Sequence, residues 1–192
     1  EKRCSVIMLI NLLSTFFLST KFYLSIHDNK NYIPTSKALN VIIIATLLDD
    51  VAYYVFDNKY ALSNFSFIFY FFEIIISVFF LSMFSRLLGA GHKISQYNLI
   101  LKAYSYTLSP VIIGSIILII ISISTSLNET HPQALSIGAL IVLMGWLWVC
   151  QFLMINTIFK KIGFIKRIFL FLITVGIYIG MDKFKKFIYM TF

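Results

Sequence analysis

Three carboxylates stand inside otherwise apolar runs of this 192-residue chain: Asp49, Asp50 and Glu73. An acidic side chain at the centre of a bilayer costs about 3 kcal/mol on insertion scales, so each of them calls for a partner or a role. Asp49 lies roughly 16 Å from one end of its run at 1.5 Å per helical residue, and Glu73 roughly 12 Å from the opposite end of the next run. In a hydrocarbon core about 30 Å thick, antiparallel neighbours would bring the two to similar depth. Asp49 or Asp50 could then share a proton or a cation with Glu73, as in an ion or proton path of a small transporter or channel. The plainer reading is a polar clamp between helices or a contact with another subunit.

Other chemistry is hard to find. The sequence has no nucleophile with a paired base, no HExxH, no P-loop and no Gly-rich dinucleotide fingerprint, so no catalytic residue and no cofactor is expected. His27, His92 and His131 are isolated in linkers. Cys4 and Cys150 lack the spacing of a disulfide framework or a metal site, and no metal is expected.

The elements that must position the acids are membrane helices. Hydrophobic residues make up 59% of the chain and charged residues 12%, and the mean hydropathy is +0.89. A globular domain carries roughly a quarter charged residues, and a soluble fold could not hide this much apolar surface. Apolar runs fall at about 38–56, 65–84, 99–124, 134–159 and 168–180, and all but the shorter last one reach or exceed the roughly 20 residues that cross a bilayer. The fold class expected is all-α: a polytopic membrane bundle of five transmembrane helices. Residues 5–26 carry Asn11, Ser14, Thr15, Ser19, Lys21 and Ser25 on one side at helical spacing, which predicts an interfacial amphipathic helix ahead of the bundle; a further span is the competing reading. Two regions follow: 1–37 as interfacial helix and polar linker, and 38–192 as the five-helix domain. Residues 181–192 read as a basic tail.

The 16 Lys and Arg against 8 Asp and Glu give a formal charge of +8. They flank apolar runs and accompany no nucleic-acid-binding motif, so membrane headgroups are the expected partner and nucleic acid is not. Arg86, Lys93 and Lys102 follow the second run, and Lys160, Lys161, Lys166 and Arg167 follow the fourth. Positive residues favour the cytoplasmic side, which puts both turns and the amino end inside, as in a bacterial inner membrane protein. The three tail lysines do not fit that rule.

The most individual stretch joins the second and third runs. Arg86, Gly89, Gly91, His92 and Lys93 form a basic turn suited to a partner or a lipid headgroup. Tyr104, Ser105, Tyr106 and Thr107 then lead to Pro110, which should kink the third helix and free the carbonyl of Tyr106 for a neighbouring hydroxyl. The two phenols are expected near the membrane surface. Gly176 and Gly180, spaced as in GxxxG, are candidates for close helix packing, in the bundle or in a homo-oligomer. Asn64-Phe65-Ser66 and Asn128-Glu129-Thr130 fit the glycosylation pattern.

The Gly89-Ala90-Gly91-His92-Lys93 turn, with Ile94-Ser95-Gln96 and the Tyr104-Ser105-Tyr106-Thr107 helix ending in Pro110, resembles the Yip domain family of polytopic membrane proteins. That resemblance spans most of the chain to Gly180. It implies five spans, a cytosolic amino end and a non-catalytic role as scaffold, partner-binding or membrane-organising protein. Eukaryotic members carry Asp-Leu-Tyr-Gly-Pro before the first span, where this chain reads Asn31-Tyr32-Ile33-Pro34-Thr35. The resemblance is therefore to the bacterial branch, and a Rab-type GTPase is not the partner it implies. An accessory subunit of a larger membrane complex is the remaining expectation.

Overall fold

A computed structural model describes residues 10–17, 19–27, 33–56, 66–91, 93–94, 96–126 and 133–191. Among them the secondary structure is helical throughout. Residues 10–16 form a short helix. The elements after it are α1 (Thr20–His27), α2 (Thr35–Phe56), α3 (Ser66–Leu87), α4 (Tyr97–Thr107), α5 (Ser109–Ser126), α6 (Gln133–Ile158) and α7 (Phe164–Thr191). His92, the turn expected at 57–59, the polar hairpin expected at 125–133 and both glycosylation patterns lie wholly or partly outside the described residues.

Four stretches are long and apolar enough to cross a membrane: Phe67–Leu87, Tyr97–Ser124, Ile141–Ile158 and Phe164–Ile188. The chain is accordingly a multi-pass membrane protein. Side chains such as Ile165, Leu172 and Phe187 are more than half exposed on the bundle's outer surface, where lipid is the natural solvent. Helix α2 is equally long but carries Lys37, Asp49 and Asp50, and is not among the four.

Packing explains how α2 is held nonetheless. Its buried face presents Ala38, Val41, Ile42, Ala45 and Ala52, while Ile43, Ile44, Leu47 and Val51 are exposed. Small buried side chains allow close approach, which supplies much of the attraction between helices where lipid removes the hydrophobic drive. Its most extensive partner is α5, and α3 packs most extensively on α7. Helices α5 and α6 cross at Gly114, where an added Cβ would stand 2.6 Å from Leu143 Cδ1.

The third apolar run is broken as the proline predicts. Helix α4 ends at Thr107, Leu108 caps it, and α5 begins at Ser109. The freed carbonyls find donors, although not the ones expected. Backbone N–H groups at the cap reach the carbonyls of Ser105 and Tyr106, whereas the hydroxyls of Ser105 and Thr107 bond back to the carbonyls of Lys102 at 2.9 Å and Tyr104 at 2.7 Å.

Two expectations are corrected. The single helix expected over 5–26 is interrupted within the described residues 10–27. The segment breaks near Phe17 and packs into the bundle, with Phe22, Tyr23 and Ile26 buried. Thr15 is fully buried, donates to the carbonyl of Leu12 at 2.9 Å and pairs with Ser109 Oγ at 3.1 Å. At the break, Trp146 Nε1 donates to the carbonyl of Phe16 at 2.8 Å and Cys150 Sγ approaches that of Thr15 at 3.6 Å. A helix end at membrane depth leaves carbonyls that need donors, and α6 provides them. The second correction concerns the carboxyl end: α7 runs on as helix to Thr191 through the supposed tail, about 42 Å in all. An Asp182–Lys186 pair at 2.8 Å, one turn apart, supports this extension.

Candidate functional site

Asp49 on α2, Glu73 on α3 and Tyr178 on α7 each stand fourteen residues from the same end of their helices, about 21 Å up the bundle. Antiparallel packing therefore brings them to one level, and they line a single cavity of about 200 Å³. Tyr70, Asp182 and Lys185 complete its polar wall. Lys185 lies within electrostatic reach of both Asp49 and Glu73. It arrives at that depth only because α7 is unbroken beyond Gly180, and so was not foreseen as a partner. Asp50 is buried on α2 but does not line the cavity. Among the described residues no three acidic, histidine or cysteine side chains converge closely enough to hold a metal ion.

Past Glu73 and Tyr70 the cavity narrows to a neck of about 10 Å³, room for about one water. Tyr104, Gln151 and Thr174 line it. Gln151 Nε2 donates to Tyr104 Oη at 3.0 Å, and Ser77 is a further hydrogen-bond partner of that phenol. Tyr104 and Tyr106 are thus inside the protein, 3% and 1% exposed, instead of at the membrane surface. Tyr106 is paired with Asn11 and meets the ring of Phe22 edge-on, with centroids 4.9 Å apart. Their hydroxyls found protein partners, which is why no aqueous interface was needed. Gln151 was missed by the sequence reading, although a lone amide in an apolar run was a visible signal.

The opposite end of the bundle is basic. Helix α3 closes with the N–H of Ala90 bonded to the carbonyl of Ser85 at 2.9 Å and that of Gly89 to Arg86 at 3.1 Å. Gly89 takes φ +91°, the left-handed conformation this cap requires. Arg86, Gly91 and Lys93 are exposed on the turn. Lys166 Nζ donates to the carbonyl of Leu88 at 3.0 Å, so the turn after α6, with exposed Lys160 and Lys161, sits at the same end. Arg167 is anchored on Asn156 and lies 5.6 Å from the centroid of Phe164. The four acids among the described residues, Asp49, Asp50, Glu73 and Asp182, all belong to the other half of the bundle.

No family model matches the chain, and no curated protein or solved structure is significantly similar to it.

Gly176 and Gly180 are exposed, and a Cβ at either would meet nothing within 4 Å. They do not bring helices together inside the bundle; Gly114 does.

Proposed function

We propose that this is a non-catalytic integral membrane protein of the Yip type, a five-span scaffold that holds a partner protein or anionic headgroups against its basic end. The observation carrying the reading is the gathering of Arg86, Lys93, Lys160, Lys161 and Lys166 on two turns tied by the Lys166–Leu88 bond. Positive side chains at one membrane face attract anionic lipid at about 1 kcal/mol each and favour the cytoplasmic side. In this reading α2 is the fifth span, with Asp49 lining a cavity and Asp50 buried, and the protein belongs to a bacterial inner membrane with the amino end cytoplasmic. Gentle solubilisation and purification of a quadruple Arg86→Gln, Lys93→Gln, Lys160→Gln, Lys161→Gln variant tests it. Loss of a stoichiometric protein or of enriched anionic lipid supports the scaffold; co-purification identical to the parent chain overturns it.

A second reading, a small proton- or ion-coupled transporter or channel, draws on the cavity at Asp49 and Glu73 and the neck that continues it to Gln151. Flux into liposomes that disappears with Asp49→Asn and Glu73→Gln would favour it. Absent flux, or flux indifferent to both changes, excludes it.

A further inference from the structure

Among the described residues the cavity wall carries both signs of charge. Asp182 pairs with Lys186 at 2.8 Å, and the carboxyl groups of Asp49 and Glu73 lie within electrostatic reach of the Lys185 ammonium. The complement of two carboxyl groups beside one ammonium is a group that carries a positive and a negative centre together. The space, about 200 Å³, is far larger than a bare monovalent ion requires, and Tyr70, Tyr178 and Phe69 supply aromatic wall. Aromatic faces beside carboxylates suit an organic ammonium, which gains cation–π attraction as well as ion pairing.

A second opening gives the shape of the rest of the ligand. Asp49, Val111 and Met144 also border a crevice of about 30 Å³ that continues along α5 and α6 past Gly114, Leu118 and Leu143. Apart from Asp49 and Ser115 its lining is apolar or glycine. Asp49 therefore stands where a polar chamber meets an apolar slot, as a residue would at the junction of headgroup and chain.

We propose that the cavity binds the ammonium headgroup of a membrane lipid, the ammonium between Asp49 and Glu73, the phosphate toward Lys185, and an acyl chain entering the crevice beside Gly114. Hydrocarbon lying in the crevice fixes the amphiphile, and the three charged side chains select its head. This site is separate from the basic end and does not depend on the scaffold reading.

The full chain, purified in a nonionic detergent, is titrated with short-chain phosphatidylethanolamine, short-chain phosphatidylglycerol and free ethanolamine. Fluorescence reports on the site because Trp148 lines the neck, and native mass spectrometry counts adducts. Saturable binding of phosphatidylethanolamine, at least tenfold tighter than either other probe, is the expected result. Asp49→Asn with Glu73→Gln should weaken it at least tenfold. Tyr178→Leu, which leaves every charge in place, should weaken it severalfold and serves if the double variant does not fold. Equal binding of phosphatidylglycerol would overturn the proposal. So would ethanolamine binding as tightly as the lipid, which would make this a site for a free amine, or wild-type affinity in Tyr178→Leu and in any charge variant that folds.

Discussion

Lys166 and Leu88, seventy-eight residues apart, are joined by a 3.0 Å hydrogen bond from the ammonium of one to the main-chain carbonyl of the other. That bond connects the turn after α3 to the start of α7 and puts two basic segments on one end of the bundle. The polar cavity lies about 21 Å away along the same helices. One end of the protein is thus basic, and the acids among the described residues gather in the other half.

Topology follows directly. Neither Gly91 nor Gly163 has an atom within 4 Å of where a Cβ would stand, so Gly91→Cys and Gly163→Cys should fold normally. A membrane-impermeant thiol reagent should modify both from the same face, which the positive charges predict to be the cytoplasmic one. Modification from opposite faces would be incompatible with this bundle.

The glycines should separate into two groups. Gly114→Ala forces a Cβ to within 2.6 Å of Leu143 Cδ1; the leucine tip can yield in part, and overpacking of this kind costs about 1–3 kcal/mol. Gly89→Ala must hold φ +91°, a conformation that costs an L-residue about 1–2 kcal/mol. Both should lower the midpoint of thermal unfolding in detergent. Gly176→Ala and Gly180→Ala should leave it unchanged or raise it slightly, since alanine favours the helix and meets nothing. A large loss from the latter pair would mean that an unseen close contact exists there.

What could be read in advance divides along physical lines. Runs of Phe, Ile and Leu located the long helices, because hydrocarbon thickness fixes their length; Pro110 located the break between α4 and α5. The break near Phe17 is not legible in the sequence, because a stripe of Ser and Thr looks the same whether its hydroxyls meet water or, as Thr15 does, Ser109 and a carbonyl. The end of the last helix was placed at Gly180 because Asp182, Lys183, Lys185 and Lys186 read as a solvated tail, although one turn of helix lets the first and last of them pair. Asp49 and Glu73 were legible as a pair because depth can be counted residue by residue. Lys185 was not, since its position depends on where α7 stops.

The break between residues 10–16 and α1 depends on α6 for its donors. Trp146 Nε1 is bonded to the carbonyl of Phe16 at 2.8 Å; Trp146→Phe keeps most of the ring contact with Phe16 and removes the donor. An unsatisfied carbonyl away from water costs about 1–3 kcal/mol. Residues 10–27 should then become more accessible to protease and exchange their amides faster, with the long helices little affected. Unchanged protection would show that the break is held by other contacts.

The neck offers a measurement of how dry the interior is. Tyr104 and Gln151 are both more than nine-tenths buried and share a 3.0 Å bond. Tyr104→Phe leaves the amide of Gln151 without that acceptor, and Gln151→Met leaves the phenol with Ser77 alone; each should cost about 1–3 kcal/mol if no water replaces the lost partner. The double variant removes both polar groups at once, so it should be less destabilised than the two single changes added together, with a coupling of about 1 kcal/mol. The neck has room for about one water. A water admitted from the cavity would satisfy whichever group remained, and the coupling would fall toward zero. A finite coupling therefore identifies a dry plug between the chamber and the basic end, which a conducting path must open, whereas its absence identifies a hydrated file reaching as deep as Gln151 and strengthens the transport reading.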